Sequence, residues 1–485
     1  MTDYRSDWSV QRLGDFALHE KGSKPKRSQK NADDIFKYPY VDIQAFEKGI
    51  VKEYTDGNKC VFCEENDFLM VWDGSRSGYV GKAIKGALGS TLMKISFPGI
   101  ETDYAYYFLQ SKYLEINTRA KGTGTPHVDP GILWNYLFAI PPLSEQLAIV
   151  AKIEQLFSEL DNGIASLKTA QEQLKVYHQA VLKQAFEGAL TKAWREQQTG
   201  LPTAQELLEK ITSERELAAK NQGKKLKSVK PLTKAELDEL PELPKNWKWI
   251  NIDTVSDYDK NSLKAGPFGS LLKKEVYVSK GYKVYGQEQV IKEDAFYGDY
   301  FIDKKKYDEL SAYKVKLHDI LISLVGTVGK ILILPENFQE GIINPRLIKI
   351  SLNKNNYYPP FFKYYFECSF LKKVYSARTQ GTTMDILNMQ IIKTLPFPFC
   401  SLHEQVQIVQ EIETRLSVCD NIEATIRESL EKAEALRQSI LKKAFEGKLL
   451  SNDELEATRN DPEWEPAGKL LERIRSEKMN SRNRH

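Results

Sequence analysis

Residues that build metal centres and disulfide frameworks are scarce in this sequence. It holds 5 cysteines and 6 histidines among 485 residues. Cys60 and Cys63 form a Cys-x-x-Cys, but no second cysteine or histidine pair stands nearby to complete four zinc ligands. An odd number of cysteines in a long chain without a signal peptide is typical of reduced thiols. We therefore expect neither a metal site nor a disulfide scaffold.

Long hydrophobic runs are also missing. The opening segment, residues 1–8, is polar, and no stretch reaches the roughly 18 consecutive apolar residues of a membrane span. The sequence therefore predicts a cytoplasmic protein without a membrane partner.

Motifs for catalysis are few and incomplete. Gly81 and Gly86 have the spacing of a phosphate-binding loop, but Ala87 stands where that loop requires lysine. The Asn-Pro-Pro-Tyr of adenine methylation is absent, and His127 has no accompanying nucleophile pattern. We predict no catalytic residues, which argues against a self-contained methyltransferase or nuclease.

Charge of one sign does not dominate the chain as a whole, whose formal net charge is +3. Residues 1–142 carry 18 basic and 18 acidic side chains, whereas residues 245–401 carry 23 basic and 16 acidic ones, a net charge of +7. A basic segment favours a nucleic-acid partner about as much as it favours a solvated lysine-rich surface.

The strongest feature that is present is an internal repeat. Residues 143–191 align with residues 402–450 without a gap, at a constant offset of 259, and 20 of 49 positions are identical. Both copies open with Leu-x-Glu-Gln and close with Ala-Phe-Glu-Gly. Self-similarity of this extent indicates duplication.

Each copy of the repeat predicts a long amphipathic helix, because its apolar residues recur at steps of three and four. About 45 helical residues would span roughly 65 to 70 Å. A helix of that length with one apolar stripe needs a partner, and the other copy is the nearest candidate for a two-stranded coiled coil. The alternative is a helical arm that packs against a globular domain.

The segments before the two helices repeat more faintly and are rich in short β-type runs. We call residues 1–142 the first head and residues 245–401 the second head. Trp8 matches Trp247, and residues 78–82 match residues 326–330. The predicted fold is α+β: two mixed α/β heads and two long helices that form an antiparallel coiled coil, duplicated about a pseudo-twofold axis. The remaining divisions are helical spacers at 143–199 and 402–450, a linker with a short helix at 200–244, and a loosely packed tail at 451–485.

With this architecture, the chain resembles the specificity subunit of type I restriction-modification enzymes across nearly its whole length. The most diagnostic residues are Ile-Pro-Pro-Leu-Ser-Glu-Gln at 140–146, Gln-Ala-Val-Leu at 179–182 and Glu-Gly-Ala-Leu-Thr at 187–191. Leu-Pro-Lys-Asn-Trp at 243–247 resembles the opening of a second recognition domain, while the first half keeps only Ser-Asp-Trp at 6–8.

The resemblance implies that each head is a target recognition domain reading half of a bipartite site in double-stranded DNA, and that the coiled coil sets their separation. It also implies two methyltransferase subunits docked on the helices and motor-nuclease subunits in the full enzyme. No cofactor is expected in this chain, whereas S-adenosylmethionine, ATP and Mg²⁺ are expected in the partner subunits. A two-headed frame suits half-sites separated by about a turn of duplex or more, so helix length would act as a ruler.

Base readout needs forked or short polar side chains on exposed loops where glycine lets the backbone approach closely. Three groups of residues meet that requirement, and Arg76, Arg378 and Gln380 are the preferred base contacts. The full set of predicted DNA-binding residues is Ser75, Arg76, Ser77, Lys121, Thr123, Thr125, Thr327, Arg378, Gln380 and Thr382. For each, the alternative is a turn residue, or a cation that bonds phosphate or an acidic neighbour.

The competing prediction from another class is a coiled-coil scaffold whose two heads bind proteins. DNA binding through phosphate contacts would weaken steeply with salt, which a protein-binding scaffold has no reason to show on DNA.

Overall fold

The computed structural model describes residues 5–65, 67–122, 124–221, 231–324, 328–379 and 387–482. The chain forms two compact units. Unit 1 contains residues 1–168 and 427–485, and unit 2 contains residues 169–426. Each unit therefore holds one head together with a part of each repeated segment.

The first head contains a sheet of four strands in the order β2-β10-β7-β8 and a mixed sheet in the order β3-β5-β4-β9-β6. A separate antiparallel pair joins β1 to β11. The strands are β1 (Ser9–Arg12), β2 (Leu18–Lys21), β3 (Ser28–Gln29), β4 (Tyr38–Val41), β5 (Tyr54–Thr55), β6 (Phe62–Cys63), β7 (Phe68–Val71), β8 (Val80–Lys82), β9 (Gly86–Leu88), β10 (Leu92–Ser96) and β11 (Leu137–Ile140). The helices are α1 (Leu13–Phe16), α2 (Ile43–Lys48), α3 (Thr102–Thr118) and α4 (Pro130–Leu133).

Strand β7 shows why this head needs an uninterrupted apolar run. Alternate side chains of a strand point to opposite faces of the sheet. Phe68 and Met70 enter the core around α3, whereas Leu69 and Val71 enter a separate core with Val41. Because both faces are buried, all four positions are apolar rather than alternating with polar residues.

The chain then passes through α5 (Leu143–Phe186), α6 (Lys192–Gln197), α7 (Ala204–Asn221) and α8 (Lys234–Asp238) before the second head begins. The second head repeats the first. Its sheets have the orders β13-β20-β17-β18 and β14-β16-β15-β19, beside the antiparallel pair β12-β21. The strands are β12 (Lys248–Asn251), β13 (Leu263–Ala265), β14 (Tyr277–Val278), β15 (Tyr282–Tyr285), β16 (Phe301–Ile302), β17 (Ile320–Ser323), β18 (Ile331–Ile333), β19 (Gly341–Ile343), β20 (Leu347–Ile350) and β21 (Pro396–Phe399). The helices are α9 (Ile252–Val255), α10 (Gln287–Lys292), α11 (Lys304–Glu309), α12 (Pro359–Glu367), α13 (Ser369–Thr379) and α14 (Met389–Thr394).

One parallel strand pair confirms that the heads are copies. Strand β4 pairs in parallel with β9 in the first head, and β15 pairs in parallel with β19 in the second. In each case the crossover carries a six-residue helix, α2 or α10, directly after the first strand. Strand β17 also divides its side chains between two cores, with Ile320 and Ile322 on one face and Leu321 on the other.

The repeated segments form α5 and α15 (Leu402–Phe445), each of 44 residues, or about 66 Å long at 1.5 Å per residue. In unit 1, Ile153 near the start of α5 shares a core with Leu441 near the end of α15. In unit 2, Leu182 near the end of α5 shares a core with Ile412 near the start of α15. The paired segments therefore run in opposite directions within each unit, and the predicted antiparallel pairing is confirmed. Both segments also pack on the head of their unit, so the predicted alternative holds in part.

The repeated Leu-x-Glu-Gln has a structural explanation in unit 2. The carboxylate of Glu404, 2% exposed, accepts hydrogen bonds from Nε1 of Trp247 at 2.9 Å, Oγ1 of Thr191 at 2.9 Å and Nε of Arg195 at 2.8 Å. Arg195 also donates to the carbonyl of Gly188 at 2.5 Å. One carboxylate thus joins the first turn of α15, the opening tryptophan of the head and the chain that follows α5. We call this group the Glu404 junction.

Unit 1 contains the matching Glu145 junction. Glu145 accepts from Nε1 of Trp8 at 3.1 Å and from Nη1 of Arg5 at 3.0 Å. Burial raises the pKa of Glu145, and the nearby Arg5 and Trp8 oppose that shift. The cation here comes from the N-terminal segment, whereas in unit 2 it comes from α6. The sequence match between Trp8 and Trp247 therefore marks equivalent positions.

The C-terminal segment is better packed than the sequence predicted. It forms α16 (Asn452–Arg459) and α17 (Ala467–Arg482), and Leu470 and Ile474 are fully buried in the core of unit 1. In unit 2, α7 of the linker packs on the core as α17 does in unit 1, with Ala204 and Ile211 buried. Both helices contain Leu-Leu-Glu followed by a basic residue and isoleucine, at 207–211 and 470–474. The duplication therefore extends beyond the long helices.

Candidate nucleic-acid interface

Two of the loops predicted to bind DNA lie side by side in the first head. Asp73 and Lys121 each form a β-bridge with His127. The amide of Gly74 donates to the carbonyl of Pro126 at 2.7 Å, and the amide of Asp73 donates to the carbonyl of Thr91 at 3.2 Å. Residues 72–79, 89–91, 121–122 and 124–127 thus form one group of loops, which we call the first loop cluster.

Arg76 is exposed in this cluster and held in a defined orientation. Its Nη1 lies 2.7 Å from Oε2 of Glu47, and its guanidinium lies over the ring of Tyr79, 4.1 Å from the centroid. The side chain remains 45% exposed. Because a carboxylate and an aromatic ring already fix the orientation of this guanidinium, it loses less conformational entropy than a freely rotating arginine when it forms a further forked hydrogen bond.

The two serines beside Arg76 differ in accessibility. Ser75 is exposed, whereas Ser77 is fully buried and its hydroxyl has no hydrogen-bond partner among the described residues. Nδ2 of Asn117 on α3 donates to the carbonyls of both serines, at 3.1 and 2.9 Å. These bonds fix the loop backbone, so in this conformation Ser75 can reach a ligand and Ser77 cannot. A contact between Ser77 and DNA would require the loop to rearrange.

Lys121 and Thr125 are both exposed on the neighbouring loop. Nζ of Lys121 lies 2.8 Å from Oδ2 of Asp129, and the hydrogen bond to Lys121 lowers the pKa of Asp129. At the end of β2, Nζ of Lys21 lies 2.8 Å from Oδ2 of Asp73. Both lysines are therefore paired with carboxylates at the surface, where such pairs are weak enough to exchange for phosphate. Thr123 lies outside the described residues.

In the second head, the predicted residues Thr327, Gln380 and Thr382 lie outside the described residues. Arg378 is described, and it is engaged within its own unit. Its Nη1 donates to the carbonyl of Thr394 at 2.9 Å and to Oγ1 of Thr394 at 3.0 Å, and its Nη2 lies 3.2 Å from Oε1 of Glu236. A base contact by Arg378 stays a prediction, and it would have to replace at least the bond to Glu236.

The structure adds two residues that the sequence argument missed, Arg346 and Gln287. Arg346 is exposed in the turn between β19 and β20, and its Nη1 donates to Oε1 of Gln287 at 3.3 Å. Gln287, at the start of α10, donates through Nε2 to the hydroxyl of Ser323 at 2.9 Å. Ser323 is the last residue of β17. Arginine and glutamine are the side chains that most often form paired hydrogen bonds to guanine and adenine edges.

Backbone register places Arg346 at the position of Thr91 in the first loop cluster. The amide of Leu324 donates to the carbonyl of Arg346 at 3.0 Å, as the amide of Trp72 donates to the carbonyl of Thr91 at 2.8 Å. Leu-x-Lys-Ile-Ser occurs both at 92–96 and at 347–351, so alignment of β10 with β20 could have found this match from the sequence. We call Gln287, Ser323, Asn344 and Arg346 the second loop cluster.

A further loop follows the edge strand of each head. The amide of Gly266 donates to the carbonyl of Leu347 at 2.9 Å, and the amide of Gly22 donates to the carbonyl of Leu92 at 3.0 Å. A side chain at Gly266 would overlap the carbonyl oxygen of Asn344. Glycine is therefore required here, and it presses the loop backbone against the second loop cluster.

The described residues offer neither a metal site nor a membrane span. Across the described parts of the chain, no three or more His, Cys, Asp or Glu side chains are grouped so that they could hold a metal ion. Within those same parts, no helix is both long and apolar enough to cross a membrane.

These features define the class of protein. The two heads share one fold, and each carries an exposed arginine in its loop cluster, Arg76 in the first and Arg346 in the second. The sequence matches a family model described as the type I restriction modification DNA specificity domain, at residues 5–169 and 244–432. The chain belongs to this family.

Individual relatives match this chain over nearly its whole length. The MjaVIII specificity subunit of Methanocaldococcus jannaschii is 25% identical over 456 residues, covering 91% of this chain and 93% of the relative. The EcoDI specificity subunit of Escherichia coli is 24% identical over 492 residues, covering 98% and 96%. One solved structure comes from a study of complex assembly and conformational transition of the type I R-M system. It superimposes with a TM-score of 0.63 at 16% identity and covers 92% of this chain and 99% of that one, which supports the fold.

Proposed function

We propose that this chain is the DNA-recognition subunit of a type I restriction-modification complex, in which each head reads one half of a bipartite, gapped site. The observation that carries the proposal is the pair of loop clusters. They occupy equivalent positions on equivalent folds but present different side chains, Arg76 and Lys121 in one and Arg346 with Gln287 in the other. Two copies of one fold with unlike contact residues suit two unlike half-sites.

The catalytic work belongs to other subunits in this proposal. Two methyltransferase subunits dock on the long helices and methylate adenine with S-adenosylmethionine, and motor-nuclease subunits that use ATP and Mg²⁺ join them in the full complex. The exposed apolar residues of the helices support such docking, because Val176 is 71% exposed and Val418 is 57% exposed. Val418 lies one helical turn from Ile422, which is 43% exposed, so the exposed apolar surface there is contiguous, as it is at protein contact surfaces.

The test is methylome sequencing of cells that express this chain with its methyltransferase partners. A gapped motif with two unlike halves is the expected result. Footprinting of the assembled complex on a duplex with that motif should show two protected patches, and affinity should fall steeply with salt. One patch, or none, would contradict the proposal.

The second candidate function is a scaffold whose heads bind proteins. The exposed valines are compatible with it, but it gives no reason for two loop clusters built from forked polar side chains. Salt-insensitive retention of a protein on the heads, without DNA protection, would support that alternative.

A further inference from the structure

Phe268 is the most exposed of the large hydrophobic side chains described, at 83%. It lies at the tip of the loop that follows β13, between Gly266 and a short 3-10 helix at Gly269–Leu271. An exposed phenylalanine contributes almost nothing to folding, because its ring stays in water. The loop is nevertheless built so that this ring points out of the fold.

The loop around Phe268 is anchored on both sides. Pro267 is buried, and Leu272 is 7% exposed within a small core. The carbonyl of Phe268 accepts from the amide of Leu271 at 2.9 Å, which closes a tight turn. Because the neighbours on either side are fixed, the ring is presented by a defined backbone instead of by a freely moving tip.

The position of this loop links it to the second loop cluster. Gly266 lies against the backbone of Asn344 and Pro345, the residues that lead into Arg346. Exposed Lys273 and Lys274 follow in the same segment, and the second head carries a net charge of +7. The loop that carries the ring therefore packs against the backbone that leads to Arg346, and two exposed lysines follow it in sequence; cations in this neighbourhood complement a nucleic acid.

The first head uses the equivalent loop differently. After Gly22, which corresponds to Gly266, the chain continues with Ser-Lys-Pro-Lys-Arg at 23–27, and Lys24, Lys26 and Arg27 are exposed. One head thus offers cations where the other offers an aromatic ring. Cations at this place suit phosphates, whereas a rigid apolar ring suits a base step.

We propose that Phe268 inserts between adjacent bases of the half-site read by the second head, unstacks them and kinks the duplex there. Apolar side chains that enter a base step in this way are known to deform DNA, and the deformation adds specificity without a hydrogen bond to a base. The inference rests on the proposed function, and it makes the two heads mechanically unequal: the second deforms its half-site and the first does not.

The test uses the full chain assembled with its methyltransferase partners on duplexes that carry the methylated motif. 2-Aminopurine replaces successive bases of each half-site, since its fluorescence rises when it is unstacked. The methyltransferase subunits flip their target adenines and so account for a rise at those positions; the complex with Phe268 intact should give one additional rise, at a step away from the target adenines and in one half-site only. Phe268→Ala should abolish the additional rise and weaken binding about tenfold, in keeping with the contribution of base–aromatic contacts. Phe268→Leu should retain part of both, because leucine also forms such wedges.

Lys24→Ala in the first head is the matched control, because it changes the equivalent loop. It should weaken binding and reduce the salt dependence, but leave the fluorescence rise unchanged. An additional rise that persists in Phe268→Ala, or no rise beyond the target adenines in either half-site of a well-protected duplex, would overturn the inference and leave the proposed function intact. If Phe268→Ala instead loses the methyltransferase partners, the ring contacts protein and the inference is wrong. Failure of the unsubstituted complex to protect any duplex would overturn the proposed function itself.

Discussion

Removal of the Glu404 carboxylate is the sharpest test of how the heads are held to the helices. Glu404→Ala leaves Trp247 Nε1 and Thr191 Oγ1 without their acceptor and removes the ion pair with Arg195. Hydrogen bonds to a charged group contribute about 1.5 to 3 kcal/mol each, and breaking a buried ion pair costs about 3 to 5 kcal/mol. These contributions overlap, and Arg195 keeps its bonds to Gly188 and Thr191. We therefore expect a loss of about 3 kcal/mol.

The loss should appear in two measurements. Urea unfolding followed by circular dichroism gives the change in the free energy of unfolding, and hydrogen–deuterium exchange locates the loss in unit 2. Strand β12, which follows Trp247, should exchange faster than in the unsubstituted chain. Glu413→Ala is the control, because Glu413 is exposed on the same helix and its removal should change stability by less than about 0.5 kcal/mol.

A loss below about 1 kcal/mol for Glu404→Ala would refute this reasoning. It would mean that the burial cost of the carboxylate cancels the bonds it makes, as happens for some buried ion pairs. Equal acceleration of exchange in both units would also contradict it, because the contacts removed all lie in unit 2.

Three further predictions concern the tail, the half-sites and the helices. Glu454→Gln should destabilise unit 1 at neutral pH, because bonds from Ser451 and Lys152 hold the pKa of Glu454 at about 2. The stability that the Glu454 carboxylate contributes is present above its unfolded pKa of about 4.3 and is lost as the pH falls towards 2. The unfolding curves of the two forms should therefore converge near pH 2. Arg346→Ala should relax sequence preference at one position of one half-site by about 1 to 3 kcal/mol, seen as a degenerate base in the methylome, and an unchanged motif would contradict it. Insertion of one turn into both α5 and α15 should lengthen the gap between the half-sites by about two base pairs, from roughly 1.5 Å per residue and 3.4 Å per base pair. The half-sites themselves should not change, and an unchanged gap would refute the hypothesis that helix length sets the spacing.

The internal repeat made the two long helices predictable from sequence. The apolar period predicted two long helices from residues 143 and 402, and both begin at those residues. The Glu-Gln pairs gave no hint of their purpose, because their partners are distant in sequence. Glu404 meets Trp247 only once the head has folded against the helix. Local patterns predict local structure, whereas these junctions depend on tertiary packing.

The contact residues were harder to predict for the same reason. Arg76 lies among small residues and glycines, which is a local signal, and the structure finds it exposed in a loop. Ser77 carries the same local signal, but the bonds from Asn117 hold its segment so that the side chain is buried. Arg346 and Gln287 are 59 positions apart and meet because β15 and β19 pair in parallel. Such a meeting is set by sheet topology, which a single sequence does not reveal.

The division of the chain between the units also bears on how it is made. Unit 2 is one continuous stretch, residues 169–426, whereas unit 1 needs residues 427–485 to complete its core through Leu441 and Leu470. On a ribosome that adds about 5 to 20 residues per second, the first head emerges and then waits on the order of half a minute for its closing helices. Unit 2 is complete before unit 1, although the first head is synthesised earlier. We expect a chain that ends at residue 426, once released from the ribosome, to protect unit 2 from protease while the first head is still cut.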